Sequence, residues 1–335
     1  LKNNDLIISA DPAQLPLPED DEAGGEAEIR PLVFGLADHG KRLDQAILRQ
    51  VAGFSRSYLQ QLVESGMVSL AGRTVIKPAH RVKDGDHGSI ELRPTPQSLA
   101  YVPQQMMLTV VHEDEHLLVL NKPAGLVVHP APGNWNGTLL NGLLARDPQV
   151  AQLPRAGIVH RLDKDTSGLM VVARSRRCMD ALVGMIAARE VERQYLAISG
   201  KPWSGPEHRT VEAGIGRDIK NRLRMAVVDL THLPGKPAKT DFQVLCSTDE
   251  SCLVLCKLHT GRTHQIRVHM AHIHMPLLGD AVYGGAMTEA MPRQALHATR
   301  LAFVHPITGQ DIDCHAALPL DMAAALTALG LDQPR

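Results

Sequence analysis

Apolar residues recur along this chain at two different periods. "KRLDQAILRQV" places Leu43, Ala46, Ile47 and Val51 on one stripe at helical spacing, and "SRSYLQQLVESG" does the same for Leu59, Leu62 and Val63. Ser55 is the expected N-cap of the second helix and Gly66 its stop. "MVSLAGRTV" then reads as a hairpin and "DGDHGSIEL" as a turn and strand. After a Pro- and Gln-containing linker at 94–105, the pattern changes. "LTVVHEDEHLLVLNKP" reads as two strands around a polar turn, and "RQYLAIS", "TDFQVLCS" and "CLVLCKLH" as further strands. Residues 178–189 fit a helix with Met179, Leu182, Val183 and Ile186 on one face. No internal repeat is visible. The mixture predicts an α+β body at 106–330 around a large mixed, mainly antiparallel sheet, preceded by a small α/β module at 38–97.

Composition adds limits to this picture. The chain has 335 residues, 44% hydrophobic and 21% charged, which describes a soluble globular protein with room for two or three domains. No stretch approaches the roughly 20 apolar residues a membrane span needs. The acidic, proline-containing start is unlike a signal peptide, so the cytoplasm is the expected compartment. Residues 1–32 lack periodicity and are expected to be a disordered acidic tail. The five cysteines are odd in number and lack CxxC spacing, so they read as reduced core residues; Cys252 and Cys256 share one face of a strand.

The net charge of −1 conceals an asymmetry. Residues 1–30 hold eight acids and two bases, leaving 33 bases and 28 acids in the rest. A mildly basic body behind an acidic tail is compatible with RNA as a partner.

Three charge-dense segments sit at the ends of apolar strands: "HRLDKDTSG" (160–168), "VERQYLA" (191–197) and "HTGRTHQIRVHMAH" (259–272). Each alone reads equally well as a solvated turn. Together, with Gly168 and Gly261 at expected tight-turn positions, they suggest polar loops held by a rigid sheet, where function concentrates. A positioned, ionised Asp163 can serve as nucleophile or base. Asp163 and Asp165 can also be paired as in sugar hydrolysis, because residues two apart in an extended chain point the same way. His264, His269, His272 and His274 lack HExxH spacing, so metal binding is not expected; His264 is expected to bond a backbone group or touch RNA. No Walker loop and no convincing GxGxxG is present.

"GIVHRLDKDTSGLMVVARS" resembles the signature of the RluA-type pseudouridine synthases. "NKPAGLVVHP", "GKPAKT", "GRTHQIRVH", "PLLGDAVYGG" and "ALHATRLAFVHP" fall in the family's order over about residues 106–320. "RLDQAI…SRSYLQQLVESGMVSLAG" resembles the S4 RNA-binding domain. The pairing is most similar to the RluD branch, which modifies large-subunit (23S) ribosomal RNA. The resemblance implies roles: Asp163 as the catalytic aspartate, Arg161 filling the gap left by a flipped nucleotide, Tyr195 stacking on the uracil, and Arg267 pairing with the aspartate. It assigns Asp165 no catalytic part. It implies no cofactor and no metal, because the reaction only moves a C–N bond to a C–C bond. Ribosomal RNA or a pre-ribosomal particle is the implied partner, with no membrane and no DNA. Arg56 and Arg73 are the candidate phosphate contacts of the N-terminal module. One departure stands out: Ala71 precedes Gly72 where the RNA-binding module often has Asn. The competing readings are a glycosidase using Asp163 and Asp165, and a non-catalytic RNA-binding assembly factor.

Overall fold

The computed structural model describes residues 28–51, 54, 56–92, 100–131, 133–221 and 224–331. The acidic segment up to residue 27, the expected cap Ser55 and linker residues 94–99 lie outside the described residues. The chain divides into two compact units, Leu1–Thr95 and Pro96–Arg335.

In the first unit, strand β1 (Glu28–Val33) is followed by helices α1 (Leu43–Gln50) and α2 (Arg56–Glu64), then β2 (Val68–Leu70), β3 (Arg73–Thr74) and β4 (His87–Leu92). The strands form an antiparallel sheet in the order β1-β4-β2-β3. Residues 28–32 therefore belong to a strand, not to the tail: Ile29 and Val33 point outward while Leu32 is buried, and Glu28 to Val33 pair along β4. The two predicted helical stripes meet in one core with Leu32, Phe34, Val68 and Ile90. In the first turn of α1, the fully buried Asp44 accepts hydrogen bonds from Arg42, Arg56 and Gln60. Burial alone would raise the Asp44 carboxyl, but those donors outweigh it and hold it well below the usual carboxylate range.

The departure at Ala71 has a structural answer. Ala71 (φ 47°) and Gly72 (φ 74°) both occupy the left-handed region between paired Leu70 and Arg73, the backbone a two-residue hairpin of this hand requires. The turn forms despite the alanine, whose Cβ makes that region costly.

In the second unit, β5 (Thr109–Glu113) and β6 (Leu117–Lys122) lead to α3 (Leu139–Arg146), β7 (Ser167–Ala173), α4 (Arg176–Ala188) and β8 (Glu192–Ser199). Then come β9 (His208–Glu212), β10 (Ile215–Arg217), β11 (Met225–Val227), β12 (Gly235–Lys236), β13 (Lys239–Ser247) and β14 (Cys252–Leu258). Helix α5 (Gln265–His272), β15 (Leu296–Val304), β16 (Asp311–His315) and α6 (Leu320–Ala328) complete it. The main sheet runs β5-β6-β7-β15-β8-β14-β13-β9, with β16 on β15. Neighbouring strands are antiparallel except β7 with β15, so the sheet is mixed, as the pattern predicted. Strands β10 to β12 form a small separate sheet.

All seven residues of β7 are buried because both faces of the strand are covered. Met170 and Val172 pack with α3 through Leu139, Leu140 and Leu143; Leu169 and Val171 pack with α4 through Cys178 and Leu182. Helix α4 sets Leu182, Met179 and Ile186 of its expected face against the core together with Cys178, but Val183 departs from that face and is 47% exposed. All five cysteines are free thiols and buried. Gly168 lies inside β7, not in a tight turn; at φ 113°, a Cβ there would sit 2.3 Å from the Ala298 carbonyl oxygen on β15. No helix among the described residues is long and apolar enough to cross a membrane.

The hairpin and the buried carboxylate of the first unit can each be tested. Ala71→Asn should stabilise the unit by about 1 kcal/mol, because Asn tolerates the left-handed region that Ala resists; an unchanged or lower melting temperature would contradict the turn geometry. The second test concerns acid. Asp44's folded pKa is depressed, so its contribution is present above the unfolded carboxylate pKa and is lost as pH falls below that value. Asp44→Asn should flatten the acid limb of stability measured between roughly pH 5 and 2, and a wild-type-like limb in the variant would refute the assignment.

Candidate active site

The segment "HRLDKDTSG" forms the loop that enters β7, and its alternating side chains part company. Leu162 is buried, Arg161 is exposed, and Asp163 opens into a cleft with its side chain 16% exposed. Two neighbours hold the loop by its backbone and a third by a side-chain hydroxyl. Lys122, at the end of β6 and fully buried, donates from Nζ to the carbonyls of Pro123, Leu126 and Lys164 at 2.8 to 2.9 Å. Burial pushes its ammonium down to about 8, against the pull of Asp165 and Asp163. Three carbonyls match the three donors of the protonated form. Arg293 donates to the Asp165 carbonyl at 2.8 Å, and Gln294 to the Thr166 hydroxyl at 3.3 Å. The ring of His160 accepts from the Val171 N–H at 3.0 Å, which fixes Nε2 as the unprotonated nitrogen.

Helix α5 supplies the partner of Asp163. Gln265 and His269, one turn apart, tie the helix to β13: Gln265 donates to the Lys239 carbonyl and the Thr240 hydroxyl, and His269 bonds the same hydroxyl and the Ala213 carbonyl. Arg267, between them in sequence, faces the other way. Its Nε and Nη2 donate to the two oxygens of Asp280 at 2.7 and 2.8 Å, and its Nη1 donates to Asp163 at 3.1 Å. Arg267 is 5% and Asp280 1% exposed. Burial alone would loosen Arg267's proton; hydrogen bonds and charge from Asp280, then Asp163, overcome it and raise the pKa above the ordinary arginine value. The Tyr283 ring lies against the guanidinium at 5.0 Å, and its hydroxyl bonds His264 at 2.8 Å. His264 in turn lies 3.9 Å from Asp163.

Tyr195, on β8, is buried at the floor of the same cleft. Its hydroxyl is pushed up to about 12 by burial, with Arg193 opposing and Asp163 assisting, so it is a phenol at neutral pH. The cleft encloses about 1060 Å³. Its lining includes Arg155, Arg161, Arg189, Arg193, Arg262 and Arg267 but one carboxylate, Asp163, among the described residues. Tyr101, Trp135 and Val183 add apolar surface.

Asp163, Arg161, Tyr195 and Arg267, named from sequence, thus line one cleft. Asp165 is not among its lining residues, and its charge lies near Lys122. In the other unit, Arg73 is exposed on β3, whereas Arg56 is engaged with Asp44 at 2.9 Å. Of the four histidines between positions 264 and 274, His264 bonds a tyrosine hydroxyl rather than a backbone group, while His272 and His274 are exposed. No group of three or more metal-binding side chains gathers among the described residues. Sequence reasoning passed over Lys122, Arg193, Asp280 and Tyr283, although three of them stand in quoted motifs beside Gly or Pro.

Comparison with known proteins agrees with this architecture. The sequence model of a family described as RNA pseudouridylate synthase matches residues 116–272, and that of the S4 domain matches 41–87. A protein of Neisseria meningitidis (serogroup A / serotype 4A), named ribosomal large subunit pseudouridine synthase D, is 44% identical over 306 residues, covering 88% of this chain and 80% of that protein. One of the same name from Xanthomonas campestris pv. campestris is 42% identical over 324 residues, covering 92% and 95%. The solved structure of human RNA pseudouridylate synthase domain containing 4 superposes with a TM-score of 0.52 at 25% identity, over 68% of this chain and 95% of that one. The chain belongs to the RNA pseudouridylate synthase family.

Proposed function

We propose that this enzyme isomerises specific uridines to pseudouridine in large-subunit (23S) ribosomal RNA, free or within a pre-ribosomal particle, in the cytoplasm. The observation that carries the reading is the charge pattern of the cleft: a single carboxylate, oriented by Arg267, faces six arginines among the described residues. Arginines attract a polyanion; the carboxylate is the group fit to act on a sugar–base junction. The names of the relatives point to the large subunit.

In this reading Asp163 is the catalytic group. The uridine leaves its stack, Tyr195 holds the uracil face, and Arg161, exposed beside Asp163, fills the vacated position. The N1–C1′ bond breaks, the base rotates, C5 joins C1′ with loss of the C5 proton, and one proton is taken up at N1. No electrons or groups are exchanged with a second molecule, so the chemistry calls for no cofactor. Residues 106–330 carry this chemistry, and residues 38–97 hold flanking RNA, with Arg73 on phosphate. Arg56 makes such a contact only while also serving Asp44. A glycosidase built on Asp163 and Asp165 finds little support, because Asp165 is turned to Lys122. The test is to map pseudouridine in large-subunit RNA from cells with and without the gene. Identical maps would refute the proposal.

Two variants probe the site. Asp163→Asn should lower single-turnover tritium release from 5-tritiated uridine RNA by at least ~10³-fold with little change in RNA affinity, whereas Asp165→Asn should stay within a few-fold of wild type. The opposite ranking would restore the paired-carboxylate reading, and a fully active Asp163→Asn enzyme would leave the catalytic role without support. Asp280→Asn should cost about 2 kcal/mol of stability by weakening a charged hydrogen bond. It should also lower kcat by roughly 10- to 100-fold, because Arg267 is then free to reorient. Folded Asp280→Asn enzyme with an undiminished rate would show that Asp280 does not position the pair.

A further inference from the structure

Arg193 stands apart from the other cations of the cleft. Arg155, Arg161 and Arg189 are exposed, and Arg267 is held by two carboxylates. Arg193 is 4% exposed, and none of the described residues forms a hydrogen bond or ion pair with its guanidinium, whose Nε is enclosed without a partner. Glu192, the adjacent residue of β8, faces the other side and takes Arg300 and Lys257 at 3.1 and 3.3 Å. On the cleft side, the neighbouring ring of His160 brings no negative charge: it accepts the Val171 N–H. A buried cation without an anion is strongly disfavoured, so this position awaits one.

The loop before α5 is shaped around the same guanidinium. Gly261 does not occupy the left-handed region, so a tight turn is not what requires it. A Cβ there would lie 2.9 Å from Arg193 Nη1. The missing side chain leaves room for the guanidinium at the cleft wall. Arg193 and Tyr195 are two residues apart on one strand face, hence about 7 Å apart at the backbone. That is the scale of one nucleotide, from base to phosphate.

We propose that Arg193 receives a backbone phosphate of the nucleotide that enters the cleft, and so sets the ribose over Asp163. The inference rests on the RNA-modifying reading above and deepens it. A phosphate brings the negative charge that the site lacks, whereas a uracil carbonyl would leave the cation uncompensated. The planar fork of arginine also matches two phosphate oxygens at once. Because Arg193 is already out of water, the contact is made in a low-dielectric setting and is worth more than one at the rim.

The test pairs a protein change with a substrate change. An RNA fragment carrying the mapped target uridine is made with a neutral methylphosphonate at the phosphate on one side of it or the other. For wild-type enzyme, one of the two should lower kcat/KM by about 10- to 100-fold. Arg193→Met should lose a similar factor on normal RNA, and lose nothing further on that methylphosphonate RNA. Arg193→Lys should recover part of the rate. The melting temperature of unbound Arg193→Met should equal or exceed wild type, which separates this role from a structural one. Losses that multiply at both phosphates would overturn the proposal, as would a destabilised, RNA-competent Arg193→Met protein. Wild-type enzyme that forms no pseudouridine in unmodified large-subunit RNA would instead remove the functional reading, and the role of Arg193 with it.

Discussion

One guanidinium shared by two carboxylates organises the second unit of this protein. Arg267 offers two parallel donors to Asp280 and a third to Asp163. The fork is planar, so once Asp280 fixes its plane, the direction toward Asp163 is fixed too. A lysine would supply the charge without the direction. Asp163 lies 104 positions before Arg267 and Asp280 13 positions after it, so the loop into β7 must converge with helix α5 and the turn after Leu278 for this to occur. The sheet makes that convergence possible. Residues His297 and Ala298 of β15 pair with Ser167 and Gly168, which registers the loop against the strand that follows Asp280. Gln265 and His269 lock α5 to β13 from the opposite side.

The loop that carries Asp163 illustrates how a polar segment survives between buried ones. Its carbonyls cannot all reach water, so they need internal donors. Lys122 donates to the Lys164 carbonyl while tying it to those of Pro123 and Leu126, and Arg293 donates to the Asp165 carbonyl. These cations act on backbone, not on substrate. The desolvation cost of Lys122 is offset by carbonyls and by nearby Asp165 and Asp163, and that of Arg293 by its ion pair with Asp321. The dense run of charges between two apolar stretches therefore separates into distinct roles. Leu162 anchors, Asp163 faces the cleft, and Lys164 and Asp165 lend their carbonyls.

Much of this was legible in the sequence because periodicity reports burial directly. The stripes of α1 and α2, the strands β8, β13 and β14, and the stop at Gly66 follow from local pattern. The start of β1 was not legible. An acidic, proline-containing stretch looks disordered until β4 is there to pair with it, Ser89 opposite Pro31. The face of α4 differs from its pattern for a related reason: Val183 is apolar and correctly spaced, yet it lines the cleft rather than the core. Asp163 and Arg267 were legible through resemblance, not through spacing. No local rule joins residues 104 positions apart. Arg56 shows the converse limit, since an arginine beside a serine gives no sign that Asp44 waits beneath it.

The residual polar dissatisfaction of the described residues is not spread evenly. Three buried side-chain atoms lack a hydrogen bond: His129 Nδ1, Arg193 Nε and His305 Nε2. His305 lies 3.2 Å from Asp114, which compensates it electrostatically. The other two both line the cleft. His129 is pushed down to about 4 by burial and by Arg155 and Arg161, so it is neutral and can accept as well as donate. Stability is thus forgone where a ligand is to bind, the expected location for such a concession. The consequence is a division among the arginines. Those at the rim are solvated, so their attraction for RNA is general and weakens with salt. Arg193 is shielded from salt by the same packing that leaves it unpaired. It rewards only a chain whose nucleotide has entered fully, and that makes the buried cation a check on position rather than a source of bulk affinity.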